Sequence, residues 1–344
     1  MNFNLEILIR ENIKKLSPYS SARDEFSGKE GIFLDANENP FGKLNRYPDP
    51  YQSQLKQRIS ELKNIPTSQI FLGNGSDEVI DLVFRIFAEP GKDKALIFTP
   101  TYGMYEVSAN INNINLDKIS LNEEFQIDIN DELKQKLNDE NLKIVFVCSP
   151  NNPTGNLIQQ ESVEFILKNF TGIVVIDEAY IDFSKTESWA SQLQKYPNIV
   201  VMQTFSKYWG MAGLRVGMAF ASEDIISLMN KVKPPYNISV LNQRKVFSQL
   251  KKTDKKKKQL EILLEGKNLL EQQLSELSFV EKVYPSDANF ILVKVQNANQ
   301  IYDTLIKKNI VVRNRSSVID NCLRITIGTP KENAELIQNL KEFE

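Results

Sequence analysis

The feature that most constrains the fold of this chain is a series of short, unbroken apolar runs spaced through its first two thirds. They are QIFLG (69–73), ALIFT (95–99), KIVFVC (143–148), GIVVID (172–177), IVVMQT (199–204) and VGMAFA (216–221). A strand with one wet face alternates apolar and polar residues, whereas a strand buried on both faces reads as a continuous run rich in Val and Ile. Helix-like segments lie between the runs. SDEVIDLVFRIF (76–87) places Val79, Ile80, Val83, Phe84 and Phe87 at helical spacing. The pattern predicts an α/β fold: a largely parallel central sheet covered by helices. Gly, Pro, Asn or Ser clusters follow most of the runs, and such sheets bind ligands at the carboxyl ends of their strands.

The texture changes after about residue 222. A charged, helical stretch runs to about 277 and contains KKTDKKKKQ (251–259), a basic run read as a solvated helix face because no aromatic residue interleaves it. FILVKV (290–295), a helical pattern near 298–308, IVVR (310–313), LRITI (323–327) and a final helix (330–343) predict a smaller α+β domain. A chain of 344 residues suits two domains. The expected division is an N-terminal arm over 1–40, a large domain over 41–230, and a linker helix with the small domain over 231–344.

Composition excludes several functions. The net charge of −2 offers no global attraction to nucleic acid or an anionic membrane. No apolar run approaches the ~20 residues of a membrane span. The N-terminus, MNFNLEILIRENIKKL, lacks the features of a signal peptide, and its acids argue against a transit peptide. It reads as one amphipathic helix with Leu5, Leu8, Ile9, Ile13 and Leu16 on its apolar stripe. Cys148 and Cys322 sit in apolar runs as core residues, so no disulfide framework or metal cluster is expected, and the cytosol is the expected location. The chain has no histidine. That removes Ser-His-Asp and Cys-His mechanisms and most zinc sites.

Three motifs follow three neighbouring strands. TFSKYWGMAGLRVG (204–217) holds Ser206, Lys207 and Arg215 around Gly210 and Gly213. Lys207 is either an ordinary surface lysine or a desolvated amine, beside a phosphate site, able to attack an aldehyde. In VVIDEAYIDF (174–183), Asp177 ends a buried strand, where an unpaired carboxylate is costly. It is either a helix N-cap or the counter-charge of a pyridinium nitrogen, with Tyr180 three residues on. In VFVCSPNNPTG (145–155), Asn152 belongs to a turn that brings its amide to the same sheet edge. GNGSDE (73–78) opens a helix with Gly75, Ser76 and Asp77, a weak signal for phosphate by itself. TPTYGMY (99–105) supplies Tyr102 for stacking on a flat ring.

The ordered set of motifs resembles the aspartate-aminotransferase superfamily of pyridoxal-phosphate enzymes, fold type I, over nearly the whole chain. The resemblance implies pyridoxal 5′-phosphate as cofactor, bound to Lys207 as a Schiff base. It implies Asp177 on the pyridine nitrogen, Asn152 and Tyr180 on the ring oxygen, and Tyr102 on the ring face. It assigns the phosphate to Ser206, Arg215 and the amides of Ser76 and Asp77, behind Gly75. Members often carry a histidine near the ring, which this chain cannot.

The N-terminal third narrows the resemblance. LSPYSSAR (16–23), IFLDANENPFG (32–42) and LNRYPDPY (44–51), with LRITIGT (323–329), look like the histidinol-phosphate aminotransferase family. Implied are a homodimer in which Tyr47 reaches the partner's cofactor phosphate, a substrate pocket lined by Tyr19, Glu38 and Asn39, and Arg324 on the substrate's anionic end assisted by Arg313. The implied substrates are L-histidinol phosphate and 2-oxoglutarate. An aromatic-amino-acid aminotransferase and threonine-phosphate decarboxylase are the alternatives within the superfamily. A regulator that merely binds the cofactor is the alternative outside enzymes.

Overall fold

A computed structural model describes residues 3–19 and 31–343. The expected LSPYSSAR segment therefore lies outside the described residues beyond Tyr19. Seven strands form the large sheet: β1 (Ile70–Gly73), β2 (Lys94–Thr99), β3 (Asn115–Ser120), β4 (Leu142–Cys148), β5 (Ile173–Asp177), β6 (Ile199–Thr204) and β7 (Gly217–Phe220), in the order β1-β7-β6-β5-β4-β2-β3. Pairings among β2 to β6 are parallel, while β7 runs antiparallel to β1 and β6. All residues of β1, β5, β6 and β7 are buried, as continuous apolar runs require.

Helices cover both faces. On one, Ser76–Phe87, Met104–Ile111 and Glu223–Val232 bury Val79, Val83, Phe84, Ala109, Ile225 and Met229 against the sheet. On the other, Ser53–Lys63, Gln160–Asn169 and Val240–Gln249 contribute Leu55, Ile59, Val163, Ile166 and Val246.

The second sheet is antiparallel: β8 (Val280–Val283), β9 (Phe290–Val295), β10 (Arg313–Asn314) and β11 (Cys322–Thr326), ordered β10-β11-β9-β8. Its core is packed by Thr253–Ser275, Ala298–Lys307 and Pro330–Leu340, the last opened by a capping box of Thr329 and Glu332.

Three expectations change. The N-terminal stripe is two short helices, Leu5–Leu8 and Glu11–Lys14. Between them the backbone N–H of Arg10 bonds to Ile86 O (3.0 Å) and its guanidinium to Arg85 O (3.0 Å), so tertiary bonds replace the helical ones. Leu8, Ile9 and Ile13 are buried as the stripe requires, but Leu16 is exposed. The charged stretch after 222 is three helices, because Pro234 and Pro235 follow the first and the chain turns again at 250–252. IVVR is strand only from Arg313, and Val311 is 79% exposed.

Candidate active site

Motifs from both domains meet at one cavity of about 590 Å³. The carboxyl ends of β4, β5 and β6 build its floor, and β10 and β11 of the small sheet face them. Among its lining residues are Ser76, Asp77, Tyr102, Asn152, Asp177, Tyr180, Ser206, Lys207, Arg215, Arg313 and Arg324.

β5 delivers Asp177 to the cavity with only 3% of its surface exposed. No α-helix follows it, so the N-cap alternative drops out. One carboxylate oxygen accepts the backbone N–H of Ala179 (3.0 Å), and the other accepts the phenol of Tyr105 (2.6 Å). Burial pushes the Asp177 carboxyl above its ordinary value, and these two donors pull it back. Lys207 sits in the turn after β6, where the N–H of Gly210 bonds to its carbonyl (2.9 Å) and Gly210 takes φ +63°. Its ammonium lies 5.3 Å from the centre of the Tyr180 ring. Burial, then the positive charge of Arg324, lowers its pKa, while Asp177 opposes the shift. A lysine tuned this way loses its proton and becomes a nucleophile or base more readily than one in water.

One end of the cavity is shaped for an anion. Gly75 caps the helix Ser76–Phe87 with φ +79° and no side chain caps it, which leaves the first N–H groups open toward the site. Close approach requires the glycine: a Cβ on Gly75 would stand 2.6 Å from Arg215 Nη2. Arg215 itself pairs with Asp77 (3.2 Å), and the Tyr102 phenol donates to Asp77 (3.3 Å). Ser206 Oγ lies 3.0 Å from Thr204 Oγ1. The turn after β4 is tied by Asn151, whose amide donates to Pro100 O (2.9 Å) and Thr154 Oγ1 (2.8 Å); that leaves Asn152 to face the cavity, where its Oδ1 accepts from Arg324.

The opposite wall is cationic. Arg313 and Arg324 are cross-strand partners in β10 and β11, and Arg315 lines the cavity beside them. Like charges directly opposite on a sheet are destabilising unless something compensates them. The Arg324 guanidinium lies 5.2 Å from the centre of the Phe290 ring. Arg315 Nε is buried with no hydrogen-bond partner, and burial and its two neighbours lower its pKa. The set is built to receive an anion.

Sequence reasoning missed Tyr105 and Arg315. The signal for Arg315 was present: it lies two positions beyond Arg313 in VVRNR, the period that keeps a strand's side chains on one face. Tyr105 gave no signal, because its partner lies 72 residues away. Four expected residues lie away from their own chain's cavity. Glu38 accepts from Arg46 Nη1 (2.6 Å) and the N–H of Tyr47 (2.6 Å), and Asn39 accepts from the N–H of Phe41 (2.9 Å). The Tyr47 ring stacks on Tyr236 (4.4 Å), and Tyr19 is exposed.

Comparison with known proteins matches residues 28–340 to the family described as aminotransferase class I and II. A histidinol-phosphate aminotransferase of Flavobacterium johnsoniae is 53% identical over 345 residues, covering 98% of each chain. Another, from Parabacteroides distasonis, is 53% identical over 99% of each. Among solved structures, the histidinol-phosphate aminotransferase of Clostridium acetobutylicum superposes with a TM-score of 0.80 at 27% identity, covering 87% of this chain and 91% of that one.

Proposed function

The chain belongs to the class I and II aminotransferases, and from that premise we propose that it moves an amino group from L-histidinol phosphate to 2-oxoglutarate, giving imidazole acetol phosphate and L-glutamate. The observation that carries the substrate is the wall of Arg313, Arg315 and Arg324 facing Lys207 across one cavity. Planar guanidinium forks match both a phosphate and a carboxylate, and the two amino donors must use one site in turn.

Pyridoxal 5′-phosphate fits the donor set opposite. Its phosphate suits the open helix start at Ser76 with Ser206 and Arg215, and its ring nitrogen suits the buried carboxylate of Asp177. When bound, this cofactor supplies an aldehyde carbon for the substrate amine and a ring that accepts the Cα electrons. The protein's part is assigned as follows. Lys207 would anchor the cofactor, and its Nζ would be the base for the proton on the substrate Cα. Asp177 holds a proton on the ring nitrogen. Asn152 and Tyr180 orient the ring oxygen, and Tyr102 covers one face. Arg324 grips the substrate's anionic end, with Arg313 and Arg315 biasing the grip toward phosphate.

The active form is a homodimer in this reading. Ile32 (91% exposed), Leu34 (88%) and Phe41 (84%) present an apolar arm to solvent in the single chain, a surface suited to a second copy. Tyr47 would then reach the partner's cofactor phosphate, and Tyr19, Glu38 and Asn39 would approach its substrate. The division 1–40, 41–230 and 231–344 is the domain organisation proposed, with the large sheet inside the second part and the small sheet inside the third. No helix among the described residues is long and apolar enough to cross a membrane, and no His/Cys/Asp/Glu cluster among them suits a metal. The cytoplasm is the proposed location.

A single-turnover panel tests the substrate. Histidinol phosphate should discharge the visible band of the holoenzyme fastest. Faster reaction with an aromatic amino acid, or release of carbon dioxide from threonine phosphate, would replace this reading with one of its two rivals.

A further inference from the structure

Asp177 needs more than burial to act as a counter-charge. At 3% exposure its carboxylate has lost nearly all contact with water, and burial favours the neutral acid. A neutral acid cannot balance a protonated ring nitrogen. Among charged groups, Lys207 favours its ionised form and Asp77 opposes it; Cys148, paired with Asp177 in register, is buried and itself pushed toward the neutral thiol. The chain has no histidine to place beside it.

Tyr105 meets the need. It is fully buried in the first turn of Met104–Ile111. Its ring stacks on Phe146 of β4 (4.8 Å, 18° between planes) and meets Tyr102 edge-on (5.6 Å). Those contacts fix the ring, and the phenol then donates to Asp177 Oδ2 at 2.6 Å. The bond is short and directed at a charge, the stronger kind of hydrogen bond. A phenol this deeply buried gives up its own proton even less readily than usual, so it remains a donor throughout the working range.

We propose that Tyr105 is a positioning residue for the transamination site: its phenol keeps the Asp177 carboxylate ionised and aimed at the ring nitrogen of the cofactor. The role differs from packing, because the ring does the packing and only the hydroxyl touches Asp177. The inference rests on the assignment of Asp177 made under the proposed function.

Tyr105→Phe separates the two. The holoenzyme should keep its circular dichroism but bind pyridoxal phosphate on the order of ten- to a hundredfold more weakly, the worth of one hydrogen bond to a buried charge. Losing the donor raises the carboxyl pKa, so the acid limb of kcat should move to higher pH. KM for histidinol phosphate, set by the arginine wall, should hold. In an Asp177→Asn background the same substitution should cost little more, the mark of a coupled pair. Fluorotyrosine at position 105 keeps the hydroxyl and makes it a better donor; it should move the limb to lower pH, a check available even if the phenylalanine variant folds poorly. Wild-type cofactor affinity and an unmoved limb in Tyr105→Phe, or equal losses in both backgrounds, would overturn the inference alone. A wild-type protein with no visible band in pyridoxal phosphate would overturn the proposed function and the inference with it.

Discussion

The two walls of the cavity are built on opposite electrostatic plans. On the large-domain wall both carboxylates already have partners: Asp177 accepts from Tyr105 and Ala179, and Asp77 pairs with Arg215. On the small-domain wall Arg313 and Arg324 face each other across a strand pair, and Arg315 Nε is buried without an acceptor. The first wall is preorganised, and in the proposed function it holds the cofactor. The second carries unbalanced positive charge, which in the proposed function the substrate would complete. A transaminase needs this asymmetry, because the cofactor remains while two substrates alternate.

Breaking the first wall should cost most. Lys207→Ala should fold but lose turnover by about a thousandfold or more, the combined worth of the anchor and the proton-transfer base. Single-turnover kinetics and the absence of a visible band check this, and turnover at the normal rate would end the assignment. Arg324→Met comes next. Loss of this half-buried charge on the proposed substrate wall should lower kcat/KM for histidinol phosphate by about a hundredfold. It has a second consequence with a definite sign. Arg324 lowers the Lys207 pKa, so its removal raises it. A protonated amine cannot attack, and the acid limb of cofactor reconstitution should therefore shift to higher pH when apoenzyme is titrated with pyridoxal phosphate.

Arg315→Gln and Arg313→Ala sharpen the comparison within the second wall. Each should slow the histidinol phosphate half-reaction by about tenfold and the glutamate half-reaction by less, since a phosphate dianion offers more charge than a carboxylate. Equal losses with both donors would show that these arginines serve any anion alike. The smallest effect is expected from Gly75→Ala. Positive φ and a Cβ 2.6 Å from the Arg215 guanidinium strain the helix start, and a cost of about 1–3 kcal/mol should lower the melting temperature by a few degrees.

The two walls also differed in how openly the sequence displayed them. On the large-domain side, Asp177, Lys207 and Asn152 each end a buried apolar run or begin the turn after it, so the strand pattern located them. β3 escaped notice because Asn115–Ser120 is a mixed edge strand with half-wet faces, and β8 because Val-Glu-Lys-Val is short and polar at its centre. Arg315 escaped because β10 is only two residues of regular strand, although Arg315 N extends the pairing to Cys322 O (2.8 Å). The single N-terminal helix expected from its apolar stripe was divided by a backbone bond to Ile86, a partner 76 residues distant that no local pattern encodes.

The sequence alone determined the architecture and narrowed the chemistry: continuous Val and Ile runs demand a sheet buried on both faces, and a chain without histidine must move protons through Lys, Tyr, Asp, Glu, Cys, water or a cofactor. The tertiary structure decided which charges are neutralised and which are left open. It set Tyr105 against Asp177 and Arg313 against Arg324, because burial and hydrogen bonding depend on groups brought together from distant parts of the chain, and local spacing carries no record of them.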